Sequence, residues 1–325
     1  MSLKKVLGIG SPIVDLLVRV EDSFIDGIEG DKGGMMLVDA SSLDAILEKS
    51  GVAPEKAPGG SAANTIFGLA QLGTPTALLG KVGADDEAAF YKSRYERMGG
   101  DVFKLKVSPS APTGRCLSLV TPDSERTMRT DLGAAAELAP DDVSSADFAG
   151  MEHVHVEGYL LFNEPLTRRV LDLAKGAGAT VSFDLASFEV VRAVSGFLPE
   201  LLEKYVDIVF ANEEEASAFI DGGSPEKALD ALSERCSVAA VKLGPDGALV
   251  KKGADTARIS AVPAEAIDTT GAGDLWASGF LHEYLNGSGD IAKSGALGAV
   301  LGAAVVQVMG AALPEDVWDV IRRGA

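Results

Sequence analysis

From residue 154 onward, short apolar runs alternate with amphipathic ones, and this alternation constrains the fold more than any other feature of the chain. "VHVEGYLLF" (154–162) reads as a strand and "PLTRRVLDLAKGAG" as a helix with a glycine stop. "TVSFDLA" is the next strand, followed by a helix through "FLPELLEKY". "VDIVFANEEE" and "VAAVKLGPDGALV" supply further strands, with "SPEKALDALSERC" as the helix between them. Strands joined by helical crossovers run parallel, and the helices bury both faces of the sheet. The predicted class is therefore α/β, a central mostly parallel sheet flanked by helices. Ligands bind such sheets beyond the carboxyl ends of the strands.

The first half has another texture. "IVDLLVRV", "GGMMLVD", "GRCLSLVTP" and "RTMRTD" read as short strands with no helix inside each pair. They predict a small β-sheet lid built from residues 13–39 and 107–131, two excursions from a large unit formed by 1–12, 40–106 and 132–325. A chain of 325 residues is comfortable for one large α/β domain with such an appendage.

A formal net charge of −19 argues against nucleic acid as a partner, because neutralising phosphates takes clustered Lys and Arg. Cys116 and Cys236 form no C-x-x-C pair and read as free thiols in a reducing compartment. With no signal-peptide pattern at the N-terminus, the expected location is cytoplasmic. The apolar run 296–313 is rich in Ala and Gly, and reads as a buried helix rather than a membrane span. "GIGSPI" lacks the third glycine of a dinucleotide fingerprint, and "GKVG" (80–83) lacks the Ser or Thr of a Walker loop. His153, His155 and His282 have no metal-ligand spacing and read as structural.

Three glycine- or carboxylate-bearing segments carry chemistry. In "APGGSAANTIFGLAQLG" (57–73), Gly59 and Gly60 precede a helix with Asn64 one turn in, able to donate to and accept from a polyol. A glycine turn with close helix packing explains the same residues. In "FANEEEA" (210–216), Asn212 and Glu215 share the first turn of a helix, where they could hold the water shell of Mg²⁺ or serve as an N-cap and its acidic neighbour. In "DTTGAGD" (268–274), Gly271, Ala272 and Gly273 let successive amides converge on an anion at a helix start. Asp274 stands at the edge of that pocket, placed to accept a proton from a hydroxyl that attacks phosphorus. Capping and tight packing account for Gly271 and Asp274 separately, but not for the preceding Asp268-Thr269-Thr270.

Together these segments resemble the ribokinase-like (PfkB) family of carbohydrate and nucleoside kinases over nearly the whole chain. "GGSAAN" resembles its first signature and "DTTGAGDLWASGFL" its second, about 210 residues later; "NEEE" fits its N-x-x-E motif and "VKLGPDGALV" its nucleotide-side strand-turn-strand. The resemblance implies an ATP- and Mg²⁺-dependent small-molecule kinase with Asp274 as catalytic base and the amides of Gly271 to Gly273 as the anion hole. It further implies Asn212 and Glu215 at Mg²⁺ and the phosphates, and Lys242, Gly244 and Gly247 lining the nucleotide. Asp268 and Thr270 resemble ligands of the monovalent cation, usually K⁺, that many members hold beside this loop.

The 44 positions from Asp15 to Gly59, and Arg126 standing six before Leu132, resemble the adenosine kinase branch. That implies Asp15, Ile13, Gly59, Gly60 and Asn64 around the acceptor, Arg126 on the transferred phosphate, and Leu132, Met36, Tyr159 and Phe188 facing a purine. It departs from the branch at "GYLL", where Leu160 stands in place of an aromatic. The expected reaction is phosphorylation of a primary hydroxyl, adenosine to AMP, with a PfkB-type sugar kinase acting on ribose, fructose or a keto-deoxy acid sugar as the alternative. The expected assembly is a monomer or a homodimer, with no membrane partner.

Overall fold

The larger sheet of the computed structural model has, among the described residues, eight strands in the order Asp255–Ile259, Ala248–Lys252, Val238–Lys242, Ile208–Asn212, Thr180–Asp184, His153–Glu157, Val6–Ile9 and Thr76–Leu79. The structure describes residues 3–123 and 125–324. From Val238–Lys242 to Thr76–Leu79 every neighbour is parallel, and the last two strands at the other edge turn back antiparallel. Alternate residues of each strand feed different cores. Leu7, Val154, Val181, Val209 and Ala239 pack on one face, and Val6, Leu78, Ile208, Phe210 and Ala240 on the other. The expected α/β fold is thus the one observed.

Several local expectations are corrected. The strand read over 154–162 stops at Glu157, and Gly158–Phe162 form a 3₁₀ turn. A β-carbon on Gly158 would lie 2.6 Å from the Leu185 carbonyl, so this turn forms where two backbones nearly touch. The 296–313 segment is helical only to Val305, as the end of the helix Ile291–Val305. That helix lies tightly against Ala272–Asn286, where β-carbons on Gly279 or Gly298 would fall 2.7 Å from backbone carbonyls of the facing helix. No helix among the described residues is long and apolar enough to cross a membrane.

The smaller sheet runs Met35–Leu37, Arg126–Gly133, Thr113–Val120, Ile13–Arg19, Glu55–Gly59. Its last strand was expected in the large unit, within 40–106. "EKAPG" lacks alternation and contains a proline, a composition tolerated at a sheet edge, and it pairs only with Ile13–Arg19. A one-turn helix, Asp22–Ile25, also interrupts the first excursion. The helix Ala40–Ser50 sends Leu43 into a core shared with Val14, Leu16 and Leu117, so the sheet's outer face is covered. Its inner face, carrying Asp15 and Arg126, turns toward the carboxyl ends of the large sheet.

Candidate active site

Two helix starts meet at the site. Gly60, at φ 103°, follows the edge strand Glu55–Gly59 and caps the start of the helix Ser61–Gln71. A β-carbon there would sit 2.2 Å from the Ser11 carbonyl, so only glycine fits. Gly271, at φ 72°, opens the helix Ala272–Asn286 with no side-chain cap; the Ala272 amide donates to the Thr269 carbonyl at 3.2 Å, while those of Gly271 and Gly273 are open to a ligand. The two helices pack against each other, and Asp274 is held between them. Ser61 Oγ donates to its Oδ1 and Asn64 Nδ2 to its Oδ2, both at 2.9 Å, and Thr65 Oγ1 donates to its carbonyl at 3.1 Å. Burial and the nearby Asp184 charge push the Asp274 carboxyl up to about 6, although Asn64, Lys242 and Ser61 pull the other way. A carboxylate poised there can accept a proton near neutral pH. Asn64 Oδ1 is buried without a hydrogen-bond partner, an acceptor left for a ligand.

Asp15 lies on the lid's inner face, 7% exposed. No donor to its carboxylate is found among the described residues. Burial raises it to about 7, against the opposing pull of Arg126. A β-carbon on Gly59 would lie 2.4 Å from its Oδ2, so that glycine leaves room for the carboxylate. Arg126 reaches across from the lid and donates to Thr270 Oγ1, while its buried Nε has no partner. Thr270 in turn donates to Asp268 Oδ1 through both its amide and its hydroxyl, and Gly310 N donates to Asp268 Oδ2 at 2.8 Å. Asp268 and Thr270, expected as cation ligands, are therefore tied into the protein and to the lid arginine.

Strand register decides which lid residues see the pocket. Asp15, Cys116 and Thr130 are direct neighbours, and Leu37 pairs with Thr130; Met35 pairs with Met128. Ile13, Asp15, Leu132, Met35 and Leu37 share the inner face. Met36 pairs with Arg129 and turns outward, so this register does not put it on the face expected for a purine; Met35 and Leu37 lie on the inner face instead. Leu160 is packed in the main core rather than offered to a ligand, while Tyr159 is half-buried beside it. Phe188 opens a short helix with the Arg192 guanidinium 5.0 Å from its ring centre.

On the nucleotide side, Asn212 and Glu215 cap one another. Glu215 Oε2 and Oε1 accept from the Asn212 amide and side chain, each at 2.8 Å, and Asn212 Oδ1 accepts from Glu215 N at 2.8 Å. The capping reading of this pair is realised. Burial and Asp184 lift the Glu215 carboxyl to about 7. Lys242 Nζ donates to Asp184 Oδ2 at 2.8 Å. Gly244 and Gly247 shape the hairpin that follows; Gly247, at φ 91°, approaches the Ile259 carbonyl too closely for any side chain. Among the described residues no three His, Cys, Asp or Glu side chains are placed to ligate a metal together.

Ser61, Asp184 and Glu157 were not singled out from sequence. Glu157 is 1% exposed and accepts from Ser11 N at 2.8 Å and Ala62 N at 3.2 Å, joining the first strand's exit to the helix start. Asp184 and Glu157 both end parallel strands, and an acid at that position is the signal that could have found them. The histidines are structural as expected: His153 and His155 are buried and hydrogen-bonded to Thr180 and Ser182. Both cysteines are free.

Comparison with known proteins agrees with this geometry. The chain is 30% identical to an adenosine kinase of Dictyostelium discoideum over 97% of its own length and 98% of that protein's. It is 29% identical to an ATP-dependent ribose-1-phosphate kinase of Halopiger xanaduensis, over 73% of this chain and 76% of the relative. The crystal structure of adenosine kinase from Sinorhizobium meliloti superposes over the whole of both chains with a TM-score of 0.91 at 32% identity. The model of the pfkB family carbohydrate kinases matches residues 35–318. The chain belongs to that family, and is a small-molecule kinase with the ribokinase-like α/β fold.

Proposed function

We propose that the enzyme phosphorylates a primary hydroxyl of a nucleoside, adenosine first among them, with ATP as donor. The observation that carries the reading is Asp274: a buried carboxylate aimed by Ser61 and Asn64 beside the open amides of Gly271 and Gly273. The acceptor hydroxyl lies against Asp274, which takes its proton as the oxygen attacks the terminal phosphorus of ATP and the bond to the bridging oxygen breaks, releasing ADP. The helix amides and Arg126 hold the charge that develops on the transferred group. Asp15 and Asn64 Oδ1, both without donors in the structure, take the hydroxyls of the sugar ring. The lid excludes water, so that ATP is not hydrolysed.

Mg²⁺ fits the residues through its water rather than by direct ligation. Glu215 already accepts two hydrogen bonds, and magnesium keeps several waters when it binds. The ion supplies charge neutralisation at the phosphates. A potassium ion at Asp268 and Thr270 would have to displace the donors those groups now hold; replacing K⁺ by choline at constant ionic strength measures its contribution.

The preference for a nucleoside rests on the lid. Its insertion adds Met35 and Leu37 to the inner face, exposed by 43% and 59%, an apolar surface suited to a flat base. A panel of adenosine, other nucleosides, ribose, ribose 1-phosphate, fructose and 2-keto-3-deoxygluconate at matched concentrations tests it. Adenosine is expected to give the highest kcat/KM. Turnover of sugars with none on any nucleoside would overturn the nucleoside assignment and leave a sugar kinase.

A further inference from the structure

The proposed function uses neither member of the buried pair Asp184–Lys242; the resemblance put Lys242 only along the nucleotide, and the geometry brings it closer to the reacting phosphate. Lys242 ends one parallel strand and Asp184 another, with Ile208–Asn212 between them, so both project where ligands bind. The side chains are 12% and 7% exposed and meet at 2.8 Å. A buried ion pair seldom adds stability over an apolar pair of the same shape, because desolvation offsets the attraction. Structural use alone is therefore a weak account of it.

Three observations point to the reacting phosphate. A β-carbon on Gly273 would lie 2.9 Å from Lys242 Nζ, so the ammonium rests directly on the catalytic loop. Gly273 has no left-handed φ to explain it. Its missing side chain is instead the space the lysine occupies. An ammonium has three donors, and among the described residues Lys242 uses one, on Asp184. Asp184, meanwhile, is fixed on its other oxygen by the amide of Ala186 at 3.0 Å. Ala186 sits at φ 66°, a strained conformation for a residue with a β-carbon. The carboxylate thus has one oxygen anchored to the backbone and one to the lysine.

Resting on the kinase reading, we propose that Lys242 is a catalytic residue whose two free N–H groups bind the phosphoryl group in flight, and that Asp184 is a positioning residue that holds the lysine over the glycine loop. The anion hole is then made of the helix amides below, Arg126 from the lid, and Lys242 from the nucleotide side. No proton moves to or from the lysine; it stays charged, paired with Asp184, throughout the transfer.

The test is steady-state kinetics of Lys242→Met, Asp184→Asn and the double variant, with ATP and the acceptor that the wild-type enzyme turns over best. Lys242→Met should lower kcat by about 10²–10³, the usual loss for one donor to a developing oxyanion, with acceptor KM nearly unchanged. Asp184→Asn retains an oxygen for Ala186 and should cause a smaller loss. Because Asp184 acts through the lysine, adding Asp184→Asn to Lys242→Met should lower kcat no further. The double variant buries no unpaired charge, so it serves where Lys242→Met alone fails to fold. A kcat near wild type in Lys242→Met or the double variant, or losses that add, overturns the inference and leaves the kinase reading standing. A wild-type protein that phosphorylates no nucleoside or sugar overturns both.

Discussion

At the scale of single residues, Asp274 is a helix-start carboxylate and the proposed base, and the two roles are compatible because different atoms serve them. Its side-chain oxygens accept from Ser61 and Asn64, while its carbonyl accepts from Thr65. Asp274→Asn keeps this shape and removes the basicity, so kcat should fall by about 10²–10⁴ with acceptor binding retained, as isothermal calorimetry on the variant would show. A variant with near-normal turnover would remove Asp274 from the chemistry. The pH dependence follows from its raised pKa of about 6. The base works only when ionised, so kcat/KM should be flat above neutrality and fall by about tenfold per pH unit below about 6. An ordinary carboxylate would put that limb near 4, and a pH–rate profile distinguishes the two.

At the scale of elements, the lid strand Met35–Leu37 shows how one residue of register changes a role. Side chains alternate across a sheet, so pairing Met36 with Arg129 sends it outward and places Met35 and Leu37 inside. Leu37→Ala should raise the KM for a nucleoside with little effect on thermal stability. Met36→Ala should have the opposite profile, lowering Tm and sparing KM. Equal KM effects from both would contradict the register. The sequence "GGMMLVD" marks a strand but carries no phase, because four consecutive apolar residues read the same on either face. For the helices the reverse holds. "GGSAAN" and "DTTGAGD" announce their own starts, because glycines of positive φ are demanded by the turn geometry itself.

At the scale of the whole molecule, the site is assembled at a cost to stability. Asp15 is buried with its carboxyl raised to about 7, Glu215 to about 7 and Asp274 to about 6. Each folded-state pKa lies above the unfolded value near 4, so between about pH 4 and 7 the native state binds protons that the unfolded chain releases. The stability these groups remove grows as pH rises through that window and is constant above it. The buried histidines act oppositely, since His155 is held down to about 4 and the unfolded chain protonates first as pH falls below 6.5. A variant isolates one sign. Asp15→Asn removes a buried charge worth on the order of 3 kcal/mol, so its Tm should exceed wild type by about 5 °C at pH 8. At pH 5, about one unit above the unfolded value, the gain should fall to about a third, and it should vanish only below about pH 4. Calorimetric scans at the two pH values check it; an equal gain at both would show that the charge is not what costs stability.

The α/β class and the two glycine-led helix starts were legible in the sequence, and so was the carboxylate proposed as the base, because these depend on local geometry: period, turn chemistry and the spacing of a motif. It also marked Asn212 and Glu215, although as a pair whose capping and ligand-holding roles spell the same residues. Tertiary structure alone decided that Glu55–Gly59 joins the smaller sheet, that Met35 and Leu37 rather than Met36 lie on its inner face, that Leu160 belongs to the core, and that Asp184 and Lys242 meet. Each of these is a contact between segments far apart in the chain. Strand order, register and the pairing of two buried charges are settled by what the rest of the fold brings alongside, which no local pattern encodes.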